Sequence, residues 1–175
     1  HQVLKDLFPK NGFAILSGPN FASEVVKGLP TASVLSSKNN KTLNEVSSII
    51  SCKKFRTYFN NDIVGTQIGG AMKNVIAIAA GICDGIGYGD NSKAALMTRG
   101  MMEITRLGEA MGAKVKTFRG LSGYGDLIVT CLSKHSRNRQ LGQLIGEGKA
   151  LDDITSDMSM IAEGIYTAKS VHQLQ

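Results

Sequence analysis

Several absences narrow the chain before any motif is read. There is no CxxC pair: Cys52, Cys83 and Cys131 are odd in number and far apart, which argues against a disulfide framework or a zinc site and fits a reducing, cytoplasmic setting. His1, His135 and His172 show no ligand spacing, so no metal site is expected. No apolar run approaches the ~18 residues of a membrane span, and no low-complexity stretch occurs. The dinucleotide fingerprint GxGxxG is also missing, and with it the loop that grips a cofactor pyrophosphate. The opening His1-Gln2-Val3-Leu4-Lys5 is neither a translation start nor a signal peptide, so a fragment is expected.

What is present is globular in character. Over 175 residues, 42% are hydrophobic and 19% charged, and a chain this long buries roughly 70% of its unfolded surface. The net charge of +6 is uneven. Between Gly112 and Lys149, the cations Lys114, Lys116, Arg119, Lys134, Arg137, Arg139 and Lys149 face only Asp126 and Glu147, which implies an anionic partner. Gly-rich turns and a shortage of aromatics argue against nucleic acid, and a small phosphorylated ligand explains the charge as well.

Along the first third, strand-like and helix-like pieces alternate. Residues 13–16 read as a strand, 21–27 as a helical piece ending at Gly28, 31–35 as a second strand, 42–50 as a helix and 55–59 as a third strand. A βαβ arrangement is expected, as an α/β remnant: the closing half of a doubly wound Rossmann-type sheet. Beyond Asp62 the strand signals stop and helices are predicted over 62–85, 92–111, 124–132, 136–145 and 162–174. The expected division is therefore residues 1–61, the C-terminal part of a dinucleotide-binding domain, and 62–175, an all-α substrate domain. Asp90 or Asn91 is expected to cap the second helix and Gly112 to end it, with Arg99, Glu103 and Arg106 pairing along one face. Leu96, Met101, Ile104, Leu107 and Met111 form its core stripe.

Three stretches can carry chemistry. In 69–81, nearly all small or apolar, Lys73 shares a helix face with Gly69, Gly70, Ile76, Ala77 and Ala80. Desolvation there favours the neutral amine and makes Lys73 a usable general acid or base; the alternative is a lysine that snorkels to solvent. In Gly120-Leu121-Ser122-Gly123-Tyr124-Gly125-Asp126-Leu127, three glycines in six residues deliver Asp126 to a helix start. Asp126 is then either a helix cap or a carboxylate that orients Lys73 or a substrate hydroxyl. In Ser133-Lys134-His135-Ser136-Arg137-Asn138-Arg139, a basic turn opens a helix with Ser136 as its cap. Free N–H groups, the helix dipole and the Arg137 fork suit a phosphate, and a solvated basic surface is the other reading.

Taken together and in order, these segments resemble the bacterial NAD(P)-dependent glycerol-3-phosphate dehydrogenases. The resemblance rests on Leu16-Ser17-Gly18-Pro19-Asn20-Phe21-Ala22, Gly28-Leu29-Pro30-Thr31-Ala32, residues 69–81, 90–100 and 120–127, Thr130-Cys131-Leu132-Ser133, Ser136-Arg137-Asn138 and Glu163-Gly164. It implies hydride transfer between NAD(P)H and dihydroxyacetone phosphate, giving sn-glycerol 3-phosphate for phospholipid synthesis. It makes Lys73 and Asp126 catalytic, with Lys73 passing the proton at the carbonyl oxygen. It implies that Gly18, Asn20, Lys73, Asn74, Asp126, Ser136, Arg137 and Asn138 line the substrate, and that Ala22, Arg137, Ile161 and Glu163 touch NAD or NADP. Asn20 departs from the hydroxyl residue usual there. The family's first active-site lysine and glycine-rich loop are expected upstream of His1, so cofactor preference is not legible here. A small phosphorylated substrate is the expected partner, and a homodimer is left open. Two other readings compete: a related dehydrogenase for another phosphorylated hydroxy compound, which the Ser136-Arg137-Asn138 turn disfavours, and a non-catalytic basic helical module.

Overall fold

The computed structural model describes residues 1–157 and 162–173. A short helix α1 (Gln2–Leu7) leads into strand β1 (Ile15–Ser17), a single helical turn α2 (Ala22–Val26) and strand β2 (Thr31–Ser36). Helix α3 (Asn40–Ile50) then crosses to strand β3 (Phe55–Asn60). The three strands form one sheet in the order β1-β2-β3. Pairing of β2 with β3 is parallel, Thr31 facing Phe55 and Ser36 facing Asn60, and α3 supplies the crossover that parallel strands require. Asn39 starts α3 by accepting the Lys41 N–H at 2.9 Å. The central strand is buried from Ser33 through Ser36, as expected of a strand covered on both faces.

The expected βαβ over the first two strands is corrected: β1 runs antiparallel to β2, with Ser17 opposite Val34. The cause is local. Gly18, at φ 138°, turns the chain as it leaves β1, and Gly28, at φ 66°, turns it back into β2. A Cβ on Gly18 would also lie 3.2 Å from the Ser33 Cα, so only glycine fits that turn.

Among the described residues beyond Asn61 all the regular elements are helices. Helices α4 (Ile63–Gly85) and α5 (Gly89–Ala110) are followed by α6 (Val115–Phe118), a π-helical segment (Leu121–Gly125), α7 (Asp126–Leu132), α8 (Arg137–Gly146), α9 (Leu151–Asp157) and α10 (Gly164–His172). Asp62 caps α4 through the Gly65 N–H at 2.9 Å. Its second oxygen accepts from the Lys114 N–H at 2.8 Å and the Thr117 hydroxyl at 2.6 Å, so one buried carboxylate ties the start of α4 to the far end of the α5–α6 link. Helix α4 is, among the described residues, long and apolar enough to cross a membrane. It packs against α5, α7, α8 and α10, which is the position of a core helix.

Ile68, Ala77 and Ala80 of α4 meet Met101, Ile104, Phe118, Leu127 and Cys131 in the main core. Of the expected α5 stripe, Met101 and Ile104 are buried and Leu96 packs against the core, whereas Met111 is exposed at the helix end. Helix α5 begins at Gly89, so Asp90 and Asn91 lie inside its first turn and neither caps it. Gly112, at φ 85°, does follow its end. Among the described residues no ion pair joins Arg99, Glu103 and Arg106; long side chains on a solvated face gain little from pairing. Against α8 the contact is closer: Gly81 faces the Arg139 carbonyl and Gly142 the Ile78 carbonyl, and a Cβ on either would overlap backbone.

Candidate active site

A cleft of about 730 Å³ opens between the β1–α2 turn and the helices, walled by α4, α7 and the turn before α8. Helix α4 delivers Lys73 to it, seven residues after Thr66 and therefore on the same face. The Lys73 ammonium does not stand on a purely apolar surface, and it does not snorkel free. It donates to Asp126 Oδ1 at 2.5 Å, with side-chain exposures of 20% and 3%, so the pair is largely withdrawn from water.

Asp126 opens α7 but caps nothing, since the N-cap is Gly125 and no side-chain cap bond forms. The π-helical segment ahead of it explains the glycines: Gly123 lies on the Phe118 backbone, and Gly69 of α4 on the Ser122 carbonyl. This widened turn is a form common at functional sites, and it lays Asp126 against α4. Burial pushes the Asp126 carboxyl above its ordinary range; Lys73, the Thr130 hydroxyl and the Gly18 N–H pull it down without cancelling that effect. A carboxyl with raised proton affinity against an amine is a pair suited to holding and passing a proton.

The opposite wall is the start of α8. Ser136 caps it, accepting the Arg139 N–H at 3.3 Å. Asn138 is buried, and its Oδ1 accepts the Gly164 N–H at 2.9 Å, which fixes the start of α10 against the turn. Arg137 is half-exposed and stands 3.7 Å from the exposed Glu163. An ion pair that open is weak, so the guanidinium stays available to an anion at the positive end of α8.

Gly18, Asn20, Ala22, Lys73, Asn74, Asp126, Ser136, Arg137, Asn138 and Glu163 all line this one cleft; Ile161 lies outside the described residues. Two have commitments the sequence did not disclose. Asn20 does not cap α2 but donates to the Ser33 hydroxyl at 3.0 Å, pinning the β1–α2 turn to the sheet. Asn74 is buried, with its amide 3.5 Å from the Gly70 carbonyl one turn back. Thr66 and Gln67, which the sequence did not single out, also line the cleft, as do Thr130 and His135, which stood in its motifs without a role of their own. Thr130 follows Asp126 by four residues and bonds it at 3.3 Å, so helical spacing would have found it.

A partial sheet joined to a helical domain, with a buried lysine–carboxylate pair facing an anion-suited helix start, defines a protein of the sheet-plus-helical-domain class with a cleft suited to a small anion. Comparison with known proteins narrows this. Residues 62–175 match the family model described as NAD-dependent glycerol-3-phosphate dehydrogenase C-terminus, and residues 1–43 match that of the N-terminus. The chain belongs to the NAD-dependent glycerol-3-phosphate dehydrogenase family. It is 54% identical over 174 residues to a glycerol-3-phosphate dehydrogenase [NAD(P)+] of Clostridium perfringens, covering 99% of this chain and 53% of that one. A relative of the same description from Salinibacter ruber is 51% identical over 176 residues, covering 99% and 52%. The crystal structure of glycerol-3-phosphate dehydrogenase from Coxiella burnetii superposes with a TM-score of 0.96 at 39% identity, covering 99% of this chain and 54% of that one. The chain thus spans about half the length of these relatives.

Proposed function

We propose that this chain is the part of an NAD(P)-dependent dehydrogenase that holds dihydroxyacetone phosphate and handles the proton of its interconversion with sn-glycerol 3-phosphate. The observation that carries the reading is the Lys73–Asp126 pair, 2.5 Å apart and largely buried, in the same cleft as the Ser136–Asn138 turn. Lys73 donates a proton to the carbonyl oxygen on reduction and withdraws it on oxidation. Asp126, fixed by Thr130 and Gly18, holds the ammonium in place and offsets its charge. Arg137 and the first N–H groups of α8 grip the phosphate, as a forked donor and a helix start do for such anions. Gly18, Asn20, Asn74, Ser136 and Asn138 shape the space between.

The residues present fit one end of a dinucleotide. Gly18 and Gly70 put no side chain into the cleft, and Ala22, Arg137 and Glu163 stand along its wall. NAD or NADP, when bound, supplies or accepts the hydride. On this reading residues 1–61 are the C-terminal part of the dinucleotide-binding domain and 62–175 the substrate domain. The three free cysteines support a cytoplasmic setting, where the product would enter glycerophospholipid synthesis. A homodimer is the assembly to test for, by light scattering of the full chain. The decisive experiment is Lys73→Met in the full chain, completed to the length of its relatives. Methionine keeps the apolar stem and removes the amine, so turnover is expected to fall ~100-fold or more while cofactor binding holds. A loss under about fivefold would take the proton-transfer role away from Lys73.

A further inference from the structure

Outside the cleft, three charged side chains meet where α4, α5 and α8 converge. Asp84, on the last turn of α4, forms ion pairs with Lys93 of α5 and with Arg139 of α8, the latter at 2.6 Å. Their side-chain exposures are 16%, 10% and 17%, so all three are largely out of water. The Asp84–Arg139 contact is an ion pair without hydrogen-bond alignment, since Asp84 Oδ2 and Arg139 Nε have no hydrogen-bond partner. Burying charges in this way adds little stability, because desolvation offsets the attraction. Nor is the cluster needed to bring α4 and α8 together, which the facing Gly81 and Gly142 already do. What it can add is a fixed setting of α8 along and around that contact.

Arg139 belongs to the first turn of α8, directly after Arg137 and Asn138. Arg137 and Asn138 are both tied to the start of α10, through Glu163 and the Gly164 N–H, and Arg139 is tied to Asp84. Only the Asp84 tie leads back to α4, the helix that carries Lys73. Asp84 stands about 16 Å from Lys73 along that helix at 1.5 Å per residue, three turns on and on the same face. One rigid helix therefore holds the proton-handling amine and, at its other end, the anchor of the phosphate turn. We infer that Asp84 is a positioning residue that acts through Arg139 to set the distance between the phosphate-binding turn and Lys73, and so the reach of substrate the site accepts. This rests on the functional reading given above.

The test is steady-state kinetics of the full chain with dihydroxyacetone phosphate, with unphosphorylated dihydroxyacetone and with varied NADH, with melting temperatures alongside. Asp84→Asn is expected to raise the KM for dihydroxyacetone phosphate about tenfold, with kcat and the KM for NADH within about twofold. Efficiency toward dihydroxyacetone is expected to stay near wild type. Arg139→Gln, which leaves Asp84 paired with Lys93, is the milder variant should Asp84→Asn fold poorly, and it is expected to show the same split. Lys93→Met, which keeps the Asp84–Arg139 tie, is expected to shift the melting temperature without the split. Equal splits in Lys93→Met and Asp84→Asn would overturn the inference, because the effect would then belong to the helix junction as a whole. So would a tenfold loss with both substrates alike. Arg137→Lys is the control for the underlying reading: if it loses phosphate selectivity while Asp84→Asn and Arg139→Gln do not, the inference fails alone. If Arg137→Lys keeps that selectivity, the phosphate site lies elsewhere and both fail.

Discussion

Arg137 is tied to its neighbour loosely, at 3.7 Å from an exposed Glu163, and this looseness leaves geometry to decide what it binds. Lysine would keep the charge but lose the planar fork that meets two phosphate oxygens together. Arg137→Lys is therefore expected to lower kcat/KM for dihydroxyacetone phosphate about tenfold, and Arg137→Ala more. Dihydroxyacetone, which lacks the phosphate, reacts poorly with wild type and variant alike; an equal fall for both substrates would take the phosphate role away from Arg137. Asp62 makes the opposite use of a charge. Its burial alone would raise its pKa, but bonds from Thr117, Gly65 and Lys114 outweigh that and hold it below the ordinary 3.8. A depressed carboxylate contributes stability above its unfolded pKa and loses it as pH falls through the folded one. Asp62→Asn is expected to destabilise the fold at pH 7 by about 1–3 kcal/mol, and the gap from wild type to close below about pH 4. Melting temperatures from pH 7 down to pH 3 read this directly, and a constant gap would contradict it. Both residues were visible in the sequence to different degrees. Arg137 stood in a recognisable turn, whereas the two further donors to Asp62, Lys114 and Thr117, lie more than fifty residues away, beyond any local pattern. The Lys73–Asp126 pair stood in the sequence only as one of two readings of Asp126: periodicity gave Lys73 an apolar face, but no local pattern could bring Asp126, 53 residues on, against it.

Between elements, the α4–α8 contact carries the most structural information about the site. Gly81 and Gly85 on α4 interlock with Gly142 and Gly146 on α8, so backbone meets backbone and α8 is held close against the helix that carries Lys73. Gly142→Ala forces a Cβ into the Ile78 carbonyl. It is expected to cost about 1–3 kcal/mol, as overpacking does, and to lower kcat/KM by more than the melting shift alone explains, because α8 must slide. A variant that loses stability but keeps full activity would show that the spacing of these helices does not set the site. The long helices were legible because their apolar positions recur over many turns: 62–85 was expected where Ile63–Gly85 is found, and 136–145 where Arg137–Gly146 is found. Helices α1, α6 and α9, of six, four and seven residues, are too short to show a period. The π-helical segment was legible only as a run of glycines, since neither its width nor its contact with α4 has a signature of its own. The reversal at Gly18 was missed for a related reason: alternation marks a strand but says nothing of its direction.

For the molecule as a whole, the sheet is the open side of the structure. With the order β1-β2-β3, both outer strands present free edges, and Leu16, Tyr58 and Phe59 on them are exposed at 44%, 45% and 50%. The helical domain, by contrast, has its own core around Ile104, Phe118 and Leu127. Cofactor binding draws on the two sides unequally. The cleft can hold the reacting end of a dinucleotide, but the grip on the pyrophosphate comes from a glycine-rich loop opening onto a helix start, and no GxGxxG lies in these 175 residues. The start of α8 does not replace it, because on the reading argued here that position takes the substrate phosphate. Residues 1–175 prepared alone are therefore expected to keep helical structure and to bind NADH with a Kd no tighter than about 1 mM, only about 4 kcal/mol of binding free energy. They are also expected to show no turnover and a tendency to associate through the open strand edges. Fluorescence titration with NADH, beside light scattering over a range of concentrations, measures both properties. Saturable binding in the micromolar range would mean that the cleft grips the cofactor without that loop, and the division of labour between sheet and helices would have to be redrawn.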